Sequence, residues 1–200
     1  MRPITRSITL VALDRIGISV SQDPVSQANL TMTGALTSGG VYTADVPRHI
    51  GIYTAGDESS TTYTVTGTDR SGAAMTEDIV GTAADETVYG LKNFATVTSI
   101  GTSDDSGTVE AGTVDSAETG WIPVEYNINW PYQIAITMSD AATQTAQVQY
   151  TLENPWASDF DEHSCRKFTG IPTAPCRAVR MRITDFTDGT ATITIICPTG

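Results

Sequence analysis

His49 and His163 are the two histidines in 200 residues, and general-base or metal chemistry near neutral pH would start from them. His49 follows Pro47-Arg48, with no Cys, Ser or acid adjacent to it. His163 lies in Asp159-Phe160-Asp161-Glu162-His163-Ser164-Cys165, a run of hard and borderline donors. A metal site needs a second group of ligands at a defined spacing, and the sequence offers none, so the run reads as an acidic loop. Asp57-Glu58 and Asp104-Asp105 lack the alternating oxygens of a calcium loop and read as turn formers. There is no Gly-rich phosphate loop followed by Lys and no Gly-x-Ser-x-Gly elbow. Abundant carboxylates are not by themselves a glycosidase pair. The expectation is therefore no enzyme, no metal and no cofactor. Trp121, Trp130 and Trp156 each adjoin Pro or Ile, which suits packing at module junctions better than a sugar platform.

Charge is the stronger signal. The formal net charge is −12 and the isoelectric point is near 4.3, which argues against nucleic acid or an anionic membrane as partner. Residues 51–125 hold 13 acids and 2 bases, a net of −11. Arg166, Lys167, Arg177, Arg180 and Arg182 form a basic stretch with no acid among residues 166–182. Those five side chains are the candidate subunit contact, set against the acidic middle of a neighbouring copy. Reversing charge at Arg180 and Arg182 is expected to weaken assembly more than folding.

No apolar run approaches the ~20 residues of a membrane helix. Ile8 to Leu13 is too short for a signal-peptide core, so synthesis in the cytoplasm is expected. Three cysteines without a secretion signal argue for reduced thiols, with a Cys165–Cys176 bridge as the alternative.

The elements that must position these groups are strands. The apolar fraction is 40% and the charged fraction only 17%, with Thr and Gly filling the difference. From 133 to 152 the chain alternates with period two. Ile134, Ile136 and Met138 are followed by a polar turn, then Ala146, Val148, Tyr150 and Leu152 on one face and Gln147, Gln149 and Thr151 on the other. The pattern predicts an antiparallel hairpin with Gln149 facing solvent. Val179, Met181 and Ile183, then Ala191, Ile193 and Ile195, predict a second hairpin turning at Asp188-Gly189. Upstream, Thr61 to Thr68 and Ala73 to Val80 flank the loop Asp69-Arg70-Ser71-Gly72. Val41 to Val46 reads as a strand closed by Pro47, and 83–89 as at most a helical turn or two. About seven strand candidates in the first 120 residues give the sandwich spacing. The expected architecture is all-β, two antiparallel β-sandwich modules of Ig-like or jelly-roll-like type, at 1–120 (with the N-terminal strands) and 121–200.

The segment NLTMTGALTSGGVYTADVPRHIGIYTAGDESSTTYTVTGTDRSGAAMTEDIVG, residues 29–81, resembles a family of β-rich tailed-bacteriophage virion proteins. The shared features are an Asn-Leu-Thr strand, a Ser-Gly-Gly turn, a Pro-Arg pair and a TVTGTD hairpin in this order. LKNFATVTSI (91–100), VQYTLENPW (148–156), RAVRMRI (177–183) and GTATITII (189–196) resemble the later strands, so the likeness spans roughly 28–200. The cysteines and the Cys165-Arg166-Lys167 stretch depart from the family's pattern. The resemblance implies a non-enzymatic virion protein, made in the host bacterial cytoplasm and built into the head–tail neck or collar as a ring or multimer. Its partners would be itself and a portal, adaptor or major capsid protein. A capsid decoration protein is the first alternative, and a glycan- or receptor-binding module of a tail or fibre the second.

Overall fold

The computed structural model describes residues 3–124, 133–139, 145–157, 165–167, 176–186 and 189–196. In chain order the strands are β1 (Ile4–Leu10), β2 (Ser19–Gln22), β3 (Thr37–Ser38), β4 (Val41–Thr54), β5 (Thr62–Thr68), β6 (Ala74–Val80), β7 (Glu86–Tyr89) and β8 (Phe94–Thr102). They continue with β9 (Val109–Glu118), β10 (Ile122–Pro123), β11 (Gln133–Met138), β12 (Thr145–Thr151), β13 (Arg166–Lys167), β14 (Ala178–Thr184) and β15 (Gly189–Ile196). No helix occurs among the described residues. The protein is all-β, its antiparallel strands arranged in one large sheet and a smaller one, consistent with a β-sandwich.

The chain divides into two compact units, 12–117 and 118–200 together with 1–11. In the first, the strand order is β9-β4-β8-β5-β6, with β2 added to β9 and β3 and β7 added to β4. Alternation sets burial directly here: Tyr63 and Val65 of β5 are fully buried while the intervening threonines are half-exposed. They join Ile18, Tyr42, Ile50, Ile52, Phe94, Val97 and Ile100 in one apolar core. The β5–β6 hairpin forms at its expected place. Asp69 accepts from the Ser71 and Ala73 backbone N–H groups, and Gly72 takes φ 86°, which a side chain would resist. Gly67 is required for a different reason: a Cβ there would meet the Thr96 carbonyl oxygen at 1.8 Å, where the β5–β8 register shifts.

Pro47 does not close its strand. β4 runs 14 residues through it, because the β4–β8 register shifts between Thr43 and Arg48 and relieves Pro47 of a ladder hydrogen bond. The 83–89 segment, expected as at most a helical turn, supplies β7 against Gly51–Thr54.

In the other unit, β15 is flanked by β1 and β11, and β14 by β12 and β10. Among the described residues neither predicted hairpin pairs: β11 lies against β15 and β12 against β14. β11 and β12 are consecutive yet lie in different sheets, as are β14 and β15. Period two specifies which face is buried and leaves the hydrogen-bonded partner open, so two consecutive strands that lie in different sheets alternate like those of a hairpin. The predicted turn residues Asp188 and 140–144 lie outside the described residues. The apolar parity was read correctly for β14 and β15, since Val179, Met181, Ile183, Ala191, Ile193 and Ile195 are all fully buried. β1 completes this unit: Ile4, Arg6 and Ile8 stand opposite Ile195, Ile193 and Ala191, and Thr–Ser and Thr–Thr hydroxyl pairs knit the outer face.

Candidate functional site

The predicted basic contact resolves into two populations. β13 places Arg166 and Lys167 on the surface, and Arg177 is exposed immediately before β14. Arg180 is different. It sits at the middle of β14, where strand alternation points it away from Val179 and Met181, and it is only 4% exposed. Register sets Gln149 of β12 directly opposite. The Arg180 Nε donates to Gln149 Oε1 at 2.8 Å, and Nη1 meets the Glu118 carboxylate at 2.7 Å. The guanidinium lies over the Trp121 ring at 4.5 Å, and Nη2 approaches Cys165 Sγ at 3.8 Å. Glu118 is as buried as its partner and also draws Arg182, whose Nε is 3.8 Å away and whose side chain is one-third exposed.

The backbone delivers this cluster. Thr119 N–H donates to the Met181 carbonyl at 2.9 Å, and Met181 N–H donates to Thr119 Oγ1 at 2.9 Å. These bonds and the Ile122–Val179 pairing hold the segment that carries Glu118 and Trp121 alongside β14 at Arg180. Two expectations are corrected by this. Arg180 serves its own unit and is not an outward contact, because a buried guanidinium must be paired where it sits. Gln149, expected at the surface, is 5% exposed and satisfies Arg180. β14 is therefore covered on both faces, whereas β12 buries the face expected to meet solvent, Gln149 and Thr151, and leaves Val148 and Tyr150 half-buried and Leu152 exposed.

Cys165 is half-buried and Cys176 is buried. β13 pairs with one edge of β12 and β14 with the other, so the two cysteines flank opposite edges of the same strand. Two strand spacings amount to about 10 Å. A disulfide needs Cα atoms within about 7 Å, so a Cys165–Cys176 bridge would require β13 to leave β12.

In the 12–117 unit three acids, Glu58, Glu77 and Glu110, are buried. Buried Glu58 accepts from the Gly107 N–H at 2.7 Å and the Thr61 hydroxyl at 2.8 Å. Buried Glu77 receives the backbone N–H groups of Leu91 and Lys92. Asp57 accepts from Ser59, which holds its carboxyl below the usual range. Glu110, itself buried, binds Arg15 at 2.7 Å, and half-exposed Arg15 lies 3.9 Å over the Tyr53 ring, repeating the arrangement around Arg180 with the cation in water. The Tyr53 hydroxyl donates to Asp85 at 3.0 Å, which raises its pKa. Burial pushes the Tyr42 phenol up to about 12, against the opposing pull of Arg48, and burial also raises Tyr63.

His49 is nearly buried on β4, and His163 lies outside the described residues, as do Phe160 and Asp161 of its acidic run. Among the described residues no group of three or more His, Cys, Asp or Glu is placed to hold a metal ion, and no helix is long and apolar enough to cross a membrane. Trp156 is 55% exposed in a turn held by Asn154, while Trp121 is committed to Arg180 and Trp130 lies outside the described residues. The residues that sequence reasoning missed are Glu118, Gln149 and Trp121. The one signal for them was a strand with two arginines and no acid on its own polar face, which if covered demands a carboxylate from elsewhere. No protein-family model, curated protein or solved structure matches the chain.

Proposed function

We propose that the chain is a non-enzymatic structural protein of a tailed-bacteriophage particle, assembling as a multimer at the head–tail neck or collar. The observation that carries this reading is the coincidence of the ordered strand motifs between residues 29 and 196 with an all-β body. In that body, buried ionisable groups are spent on holding strands and turns, Arg180–Glu118 and Glu58–Gly107 among them. Short turns and paired strands leave little conformational entropy to lose on assembly. Repetition around a particle axis lets weak contacts between copies sum to a stable one. The copies would be made in the host bacterial cytoplasm and assembled onto a portal, adaptor or capsid protein. Quantitative mass spectrometry of purified particles tests this. A copy number close to that of the portal ring is expected; a number close to that of the major capsid protein indicates capsid decoration instead. Absence from particles would remove the structural role.

A second reading rests on exposed Trp156, the kind of aromatic face that stacks on a sugar ring. Glycan binding that disappears in Trp156→Ala would favour a receptor-binding module.

A further inference from the structure

We propose that β1 of one copy adds as a strand to the open edge of β6 in the next copy, an inference that rests on the assembly reading above. The hydrogen-bond parity of the β5–β6 hairpin exposes that edge. Asp69 N–H donates to the Ala73 carbonyl at 2.9 Å, and Gly81 N–H donates to the Thr61 carbonyl at 2.8 Å. These two pairs bracket the ladder and make Gly67/Met75, Val65/Glu77 and Tyr63/Ile79 its hydrogen-bonded pairs. Ala74, Thr76, Asp78 and Val80 consequently turn their N–H and C=O groups away from β5. Among the described residues no strand pairs with that side of β6. The Lys92 ammonium sits on the Thr76 carbonyl at 2.7 Å, a cation at a strand edge of the kind that deters indiscriminate pairing.

Charge and length select the occupant. β6 carries buried Glu77 and exposed Asp78; the Asp78 backbone faces the open edge, and its carboxylate, which accepts from Thr64 Oγ1 at 2.7 Å, stands on the exposed face of the strand. β6 against β6 would set acids against acids, and β1 against β1 would set Arg6 against Arg6, which like-charge repulsion disfavours. β1 is also seven residues long, is bonded among the described residues only to β15, and carries exposed Arg6. Residues 1–13 contain Arg2 and Arg6 and no acid. β11 carries no charge, and β13 has only two residues, so neither matches as well. Pairing β1 with β6 is heterologous: each copy gives one edge and receives on another, so it propagates and closes into a ring when the rotation permits. Main-chain hydrogen bonds supply the adhesion and the Arg6–Asp78 charges its direction. Lys92 must yield the Thr76 carbonyl for the added strand to bond, which makes it a guard.

The test is light scattering of the full-length chain across concentration, with circular dichroism confirming native folding of every variant. Arg6→Glu and Asp78→Arg alone should each weaken self-association at least tenfold, and the two together should restore it. Lys92→Ala should strengthen it. Single variants that associate like the wild type, a double variant that does not recover, or a wild type that stays monomeric to about 1 mM would each overturn the pairing. The particle copy number is read independently. Protein present in particles with no charge-swap effect sinks the strand pairing and leaves the virion role. A charge-swap effect in a protein absent from particles does the reverse.

Discussion

Arg15 and Arg180 are built alike and placed in opposite surroundings. Each donates to a glutamate at 2.7 Å and lies over an aromatic ring, Arg15 with Glu110 and Tyr53, Arg180 with Glu118 and Trp121. The Arg15 side chain is 51% exposed, whereas that of Arg180 is 5% exposed. Water already solvates the Arg15 cation, so breaking its pair leaves only Glu110, itself 8% exposed, short of a partner. Arg180 has lost its water, and each contact it makes replaces a solvation it would otherwise lack. Distance alone therefore does not rank these pairs. What ranks them is how much is stranded when one partner leaves.

The comparison can be broken most forcefully at Arg180. Arg180→Ala leaves Glu118 buried without its nearer cation and should cost about 3–5 kcal/mol, read from denaturant unfolding followed by tryptophan emission. All three tryptophans lie in 118–200, so that emission reports on the unit holding the pair. The 12–117 unit has its own buried polar group in Tyr42. Its folded pKa of about 12 stands above the unfolded value near 10, so its contribution is whole below pH 10 and is lost as the pH rises from 10 to 12. About 3 kcal/mol should vanish across that window in an alkaline unfolding series, and Tyr42→Phe should flatten the loss. Next comes Gln149→Leu, which keeps the volume and strands the Arg180 Nε–H; a loss of about 1–3 kcal/mol is expected from the same denaturant curves. The smallest effect belongs to Arg15→Ala, expected to change stability by under about 1 kcal/mol and by less still in high salt.

The same contrast explains what could be read from the chain. β5 reads truthfully because its threonine face meets solvent, so period two in sequence equals period two in burial. β14 shows the identical pattern, yet Arg180 is as buried as Val179 and Met181. Alternation marks polarity, and polarity equals exposure only where nothing covers the second face. The pairing of β1 with β15 joins residues 191 positions apart at its outer end, Ile4 with Ile195, and no local signal carries such a contact. The β5–β6 hairpin was legible because Asp69 and Gly72 encode its turn within five residues. Period two between β11 and β12 and the Asp188-Gly189 pair between β14 and β15 point to hairpins, yet in each case the two strands pair with other strands in different sheets. The basic stretch was legible as charge and misleading as surface, since one of its five members is the best-buried cation of its unit among the described residues.

A pair of double-mutant cycles, Arg180/Glu118 and Arg15/Glu110, tests most directly the claim that burial, and not geometry, sets the worth of these contacts. Each alanine single and double is unfolded in denaturant under one buffer. The prediction is that the Arg180 singles are each costly and strongly non-additive, with the double far less damaging than their sum, while the Arg15 cycle couples by under about 1 kcal/mol. Equal coupling in the two cycles, or an Arg180→Ala protein with the wild-type midpoint, would contradict the account and return Arg180 to the surface as a contact for another copy.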